Sequence, residues 1–212
     1  MNCCQCQGIE ELFNDPLVTK ELRQYRVKGP AKTTRWMVDA IKNEDVAGTR
    51  LLDIGGGVGA VQHALIAAGV KEATDVDASK AYIRAARDEA NRRGIADQIQ
   101  LLHGNFIDLA PQIPPADIVT LDRVVCCYPD MEKLVDLSAA RAKKLYGLVY
   151  PRDTWWVKIG MAILNVFFRL QRRPFRTYVH PTREVETIVR RHGLRRTFFR
   201  QTLVWQVVVY GR

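Results

Sequence analysis

LLDIGGGVGA, residues 51–60, runs from an apolar stretch into a turn made almost entirely of glycine. Glycines at 55, 57 and 59, with Gly56 between them, tolerate positive φ and let backbone N–H groups come into contact with a ligand. Asp53 stands two residues before the turn, at the expected carboxyl end of a strand, and its charge is expected to point into the same space. A nucleotide diphosphate would be repelled by that carboxylate, whereas a ligand carrying an ammonium or sulfonium group would be attracted. Gly55, Gly57 and Ala60 also satisfy the G-x-G-x-x-G/A fingerprint of NAD sites. The carboxylate at 53 favours S-adenosylmethionine instead.

Working outward, the pattern alternates. Strands are expected at 49–54, 71–76, 98–103, 116–121 and 144–150, and helices at 58–68, 78–93 and 130–142, an order that means a parallel sheet covered on both faces. Ahead of them, 9–28 and 30–43 read as two helices split at Gly29-Pro30, with Lys32, Arg35 and Lys42 on the outer surface of the second. RRTFFRQ (195–201) and LVWQVVVYG (203–211) are β-rich runs with Thr202 between them, expected to form an antiparallel hairpin at the sheet edge.

Three further segments extend the glycine motif. EATDVDAS places Asp77 and Ala78 at the end of the second strand, IQLLHGNFIDL closes the third on Gly104, Asn105 and Phe106, and ADIVTLDRVV ends the fourth at Asp122. Together with D-x-G-x-G-x-G, this series resembles the class I S-adenosylmethionine-dependent methyltransferases over residues 51–125. The resemblance implies that Asp77 accepts the ribose hydroxyls, that Asn105 and Phe106 lie at the adenine, and that Asp122 faces the methionine moiety. The family usually has Asp where Asn105 stands, and an amide can accept the adenine amino proton only through its oxygen. The implied fold is a Rossmann-like α/β domain, a mostly parallel seven-stranded sheet with a C-terminal antiparallel strand, spanning 46–212. Helices in 1–45 would cap its cleft.

The chain has 212 residues and a net charge of +9, enough for one sizeable core with appendages. From Arg141 to Arg212 there are sixteen Lys or Arg against three acids, so a strongly basic half follows one near neutrality. That half suits an acidic small molecule, an anionic membrane surface or nucleic acid. No apolar run is long enough to span a bilayer and the first residues do not read as a secretory signal, so a cytoplasmic protein, at most peripheral to a membrane, is expected. Cysteines at 3, 4, 6, 126 and 127 include two vicinal pairs, which argues for reduced thiols. Cys3, Cys4 and Cys6 are too tightly spaced for a tetrahedral zinc site, and no metal is expected.

DTWWVKIGMAILNVFFRLQRRPFRTYVHP, 153–181, is apolar over 155–168 but for Lys158, Gly160 and Asn165, and then carries Arg169, Arg172, Arg173 and Arg176. It reads as a buried core helix with a basic end, as a lid over an apolar anionic substrate, or as an interfacial helix. With two N-terminal helices and LDRVVCCYPD after the fourth strand, the layout is similar to the magnesium-protoporphyrin O-methyltransferases and their small-molecule relatives. In that family a His typically precedes Tyr-Pro, whereas here Cys127 precedes Tyr128 and Pro129, a departure that counts against a porphyrin substrate. The expected reaction is O-methylation of a small apolar carboxylate, with the four arginines holding the acid and Tyr25, Tyr128 or His180 as candidate bases. The N/D-P-P-Y/F motif of base methylation is absent after the fourth strand. An RNA methyltransferase and a non-catalytic cofactor-binding subunit are the alternatives.

Overall fold

A computed structural model describes residues 4–212, with side chains from Gly8 onward; the thiols of Cys3, Cys4 and Cys6 lie outside the described residues. Three helices come first: α1 (Cys4–Leu12), α2 (Asp15–Lys28) and α3 (Lys32–Lys42). The expected single helix 9–28 is broken because Asn14 caps α2, its side chain accepting a hydrogen bond from the Leu17 N–H, with Pro16 in the first turn. Asn before Pro satisfies a helix start and cannot continue an earlier one. Gly29, at φ +72°, ends α2.

The sheet has seven strands in the order β3-β2-β1-β4-β5-β7-β6. These are β1 (Arg50–Ile54), β2 (Glu72–Asp77), β3 (Ile99–His103), β4 (Ala116–Asp122), β5 (Ala142–Pro151), β6 (Arg195–Gln201) and β7 (Trp205–Gly211). Strands β1 to β5 pair in parallel, and β7 inserts antiparallel between β5 and β6. The hairpin turn spans 202–204, wider than expected, because the Thr202 hydroxyl accepts from the N–H groups of Val204 and Trp205. Alternate residues feed two cores. Leu52, Ile54 and Val119 pack on the face covered by α7 (Met131–Ala139) and α9 (Thr182–Arg191), and Leu51 and Ile118 on the face covered by α3 and α4 (Ala60–Ile66). Helix α5 (Lys80–Arg93) lies outside β2 and β3, and α6 (Phe106–Leu109) is a single turn.

Helix α3 does not cap the cleft as the resemblance suggests. Met37, Val38 and Ile41 are buried against Leu145, Val149, Val207 and Val209, so the helix lies flat on the sheet. The insertion holds α8 (Trp155–Leu170), which buries only Val157 and Phe168 and is therefore not a core helix. Among the described residues no helix is long and apolar enough to cross a membrane. Strand order reverses between β1 and β4, and in open α/β sheets ligands bind beyond the carboxyl ends of the strands at such a point.

Candidate active site

A cleft of about 360 Å³ opens there, within the range of small-molecule sites. Gly55, Gly56 and Gly57 form one side of it and Asp77 and Ala78 another. Gly55 has φ +67° and a Cβ on it would stand 2.4 Å from Val124 Cγ2, while one on Gly56 would stand 2.6 Å from Asp75 Oδ1. The turn therefore runs closer to its neighbours than any side chain allows. Gly59, at φ +82°, starts α4 and lies behind the cleft, where a Cβ would meet the His63 ring at 2.8 Å.

Beneath the turn sits a layer of buried polar groups. Asp53 is fully buried and accepts hydrogen bonds from Thr120 Oγ1 at 2.7 Å and Gln62 Nε2 at 3.2 Å. It lines the inner end of the cleft but is tied down rather than aimed freely into it, and burial pushes its carboxyl up to about 7. Asp75, also fully buried, accepts from the Gly56 N–H at 3.1 Å, and burial with the neighbouring Asp53 raises it well above the usual carboxylate range. The sequence reading passed over Asp75. Its position two residues before Asp77 puts it on the same face of β2, which was the available signal.

Asp77 accepts from the Gly57 N–H at 3.2 Å and the Ser79 N–H at 2.8 Å, and burial raises it to about 6. Each oxygen keeps acceptor capacity for a further donor. Asp122 accepts from Thr34 Oγ1 at 2.5 Å and from Arg123 Nε at 3.2 Å. Arg123, in left-handed backbone at φ +62°, is the one basic side chain lining the cleft among the described residues. Across from it, Tyr82 donates to Glu21 Oε2 at 2.5 Å, and both line the cleft.

Other expected site residues stand elsewhere. Phe106 is fully buried in the core with the Arg141 guanidinium over its ring, so its side chain does not reach the cleft. Asn105 caps α6 and its amide oxygen accepts from the Ile107 N–H and from the Tyr128 hydroxyl at 3.0 Å; it stands behind the lining. Tyr25 is buried between α2, α4 and α5, bonded to His63 Nδ1 at 3.0 Å, with Arg93 over its ring. His180 stacks on Tyr178 and its Nε2 bonds the Tyr128 carbonyl oxygen at 2.9 Å. Neither is part of the cleft lining. Tyr128 is. Arg169, Arg172, Arg173 and Arg176 are absent from the lining too: the cleft side of α8 is Leu164 and Phe168, the helical turn carries Arg169 away from it, and the other three follow the end of the helix at Leu170.

The outer end of the cleft is apolar. Ile9, Phe168 and Phe175 form a buried cluster with Leu12, Phe13 and Cys127 packed against it, and α1 closes on this wall so tightly that a Cβ on Gly8 would lie 2.6 Å from the Phe175 backbone nitrogen. Cys126 and Cys127 line the cleft, and the Cys126 thiol donates to the Arg123 carbonyl at 3.4 Å. A hydrogen bond with Cys126, together with burial, pushes the Cys127 thiol well above its usual value. Among the described residues no group of three side chains is placed to hold a metal ion.

A family profile described as a methyltransferase domain matches residues 52–146, the stretch from β1 into β5. The chain is 27% identical over 151 residues to a ribosomal protein L11 methyltransferase of Pseudomonas putida, a match covering 60% of this chain and half the length of that relative. Its structure is similar to the magnesium protoporphyrin IX methyltransferase of Synechocystis PCC 6803 crystallised with S-adenosylhomocysteine, with a TM-score of 0.73 at 18% identity over 98% of this chain and 99% of the other. It is also similar to an O-methyltransferase family protein of Burkholderia thailandensis, with a TM-score of 0.67 at 18% identity over 96% and 62% of the two chains.

Proposed function

We propose that this chain, an S-adenosylmethionine-dependent methyltransferase by its domain and fold, methylates a carboxylate oxygen of a small, largely apolar molecule. The residues present fit the cofactor. The glycine turn allows close backbone approach, the Asp77 oxygens retain lone pairs for two ribose hydroxyls, and Asp53 and Asp122 give the inner end a negative potential suited to a cation. Bound there, S-adenosylmethionine supplies an electrophilic methyl group on a sulfonium.

The observation that carries the substrate class is the pairing of Arg123 with the apolar wall of Leu164, Phe168 and Phe175 across one cleft. A guanidinium can grip a carboxylate through two parallel hydrogen bonds, and the wall excludes water from the ring or chain that bears it. Arg123 thus takes the part the sequence assigned to Arg169, Arg172, Arg173 and Arg176. An ionised carboxylate needs no general base, so positioning supplies most of the acceleration. A phenolic acceptor would need one, and of the candidates Tyr25, Tyr128 and His180 it is Tyr128 that lines the cleft.

The test is transfer from radiolabelled cofactor to a panel of apolar aromatic and tetrapyrrole acids, total RNA and ribosomal protein. The expected product is an alkali-labile ester, and Arg123→Gln is expected to raise KM for the acid about ten-fold or more, the loss of one charged hydrogen-bonded contact, with cofactor affinity retained. Label in RNA with activity falling steeply as salt rises, or label in ribosomal protein, would overturn this reading.

A further inference from the structure

We propose that the outer face of α8 is a docking surface for an anionic lipid bilayer. The inference does not depend on which acceptor the cleft takes. Helix α8 has two apolar faces: Leu164, Val157 and Phe168 turn toward the cleft and core, while Trp155, Ile159, Ile163, Val166, Phe167 and Leu170 are exposed. At the α-helical pitch these six, with Trp156, fall within an arc of roughly 120°. Leu170 is 77%, Trp155 70% and Ile163 65% exposed, far beyond the scattered apolar residues of an ordinary surface. The patch continues across the hairpin turn, where Trp156 Nε1 donates to the Leu203 carbonyl at 3.3 Å and Leu203 is itself 71% exposed.

The charges around the patch select its occupant. Arg169, Arg172 and Arg173 are exposed at the carboxyl end of the helix, and Arg152 lies 5.6 Å over the Trp156 ring at the other. Two indoles at one end and a guanidinium cluster at the other match an interfacial helix, whose aromatic rings sit at headgroup depth and whose cations meet anionic lipid. No acid lies on the exposed arc, and the half of the chain from Arg141 onward carries sixteen basic against three acidic residues. A second copy seated on this face would set like charge against like, whereas an anionic membrane is complementary. Since the other side of α8 walls the cleft, a docked protein would hold its substrate pocket about one helix diameter, some 10 Å, from the lipid.

The experiment is co-sedimentation of the whole chain with vesicles of phosphatidylcholine alone and of phosphatidylcholine with phosphatidylglycerol, reading tryptophan emission in parallel. The chain is expected to pellet with the anionic vesicles at low salt, with a blue-shifted emission that Trp155→Phe reduces, and to be released as salt screens the arginines. Ile163→Glu with Phe167→Glu should weaken partitioning at least ten-fold, and Arg172→Gln with Arg173→Gln several-fold, while cofactor affinity, which reports folding, stays within two-fold. Wild-type protein left in the supernatant with both vesicles, or binding unchanged in both double variants, would overturn the proposal. So would concentration-dependent self-association, without vesicle binding, that the glutamate variant abolishes, because a second copy would then be the occupant.

Discussion

The floor of the cleft and its outer wall invert the ordinary rule in opposite directions. Beneath the glycine turn Asp53, Asp75, Gln62 and Thr120 are fully buried, while on α8 two tryptophans and a row of aliphatic side chains face solvent. Polar groups inside and apolar groups outside each oppose stability: a buried carboxylate loses hydration, and an exposed indole gains nothing from the core. Yet the two departures are built differently. The floor is cross-linked by hydrogen bonds from Thr120, Gln62 and the Gly56 N–H, whereas α8 is joined to the body by Val157, Phe168, the Trp156 indole on the Leu203 carbonyl and the Asn165 amide, whose oxygen accepts from the Thr177 N–H. A floor so connected suffers from any change in shape. An outer face so weakly engaged should tolerate almost any.

That contrast can be broken at the floor first. Gly56→Ala forces a methyl group to within 2.6 Å of Asp75 Oδ1 and 2.3 Å of Gln62 Nε2; chemical denaturation should show a loss of about 3 kcal/mol, the upper part of the overpacking range. Asp77→Ala should weaken cofactor binding by about 1.5–3 kcal/mol in calorimetric titration, the range for hydrogen bonds to a charged group. Affinity unchanged in that variant would mean that Asp77 serves only to brace Gly57 and Ser79.

Proton binding sharpens the comparison. Asp53, at about 7, and Asp75 both have folded-state values above the unfolded carboxylate value, near 4, so as pH falls toward 4 each takes up its proton in the folded chain before it does in the unfolded one. Their contribution is therefore unfavourable while they are ionised in the fold and is relieved as pH falls. Thermal unfolding without cofactor should show Asp75→Asn more stable than wild type at pH 8, with the gap closing by pH 5, each 1 kcal/mol appearing as about 2–4 °C in a chain of this size. A gap that widens on acidification would contradict the assignment. At the bottom of the scale, Phe167→Ser on α8 should change stability by no more than about 0.5 kcal/mol, as for other surface substitutions. A loss of several kcal/mol would mean that the face is packed after all.

The sequence was informative where one pattern served one purpose. Strands β1, β2 and β4 each carry an acid at or next to the carboxyl end, Asp53, Asp77 and Asp122, and their succession along the chain and the turn after β1 could be read from residues 51–125 alone. Residue types that serve many purposes misled. Tyr25 and His180 are chemically capable, but their hydrogen bonds to His63 and to the Tyr128 carbonyl turn them into braces. Arg169 in the last turn of α8 and Arg172, Arg173 and Arg176 after it are near the cleft wall in sequence, yet the side of the helix that lines the cleft ends at Phe168. Arg123 escaped notice because its approach depends on a left-handed backbone, φ +62° at a non-glycine position, which no residue type announces. The break at Asn14 was legible, since Asn followed by Asp-Pro is a cap signal.

The place of β7 between β5 and β6 bears on how the chain is made. Strand β5 ends at Pro151, and the partner that covers its open edge is Trp205–Gly211, more than fifty residues further along. While the ribosome completes that interval, β5 presents an unpaired edge of KLYGLVY, and such an edge is a template for pairing with another nascent chain. A rare-codon pause or a premature stop between 152 and 204 is therefore expected to produce aggregates rather than a soluble, inactive fragment.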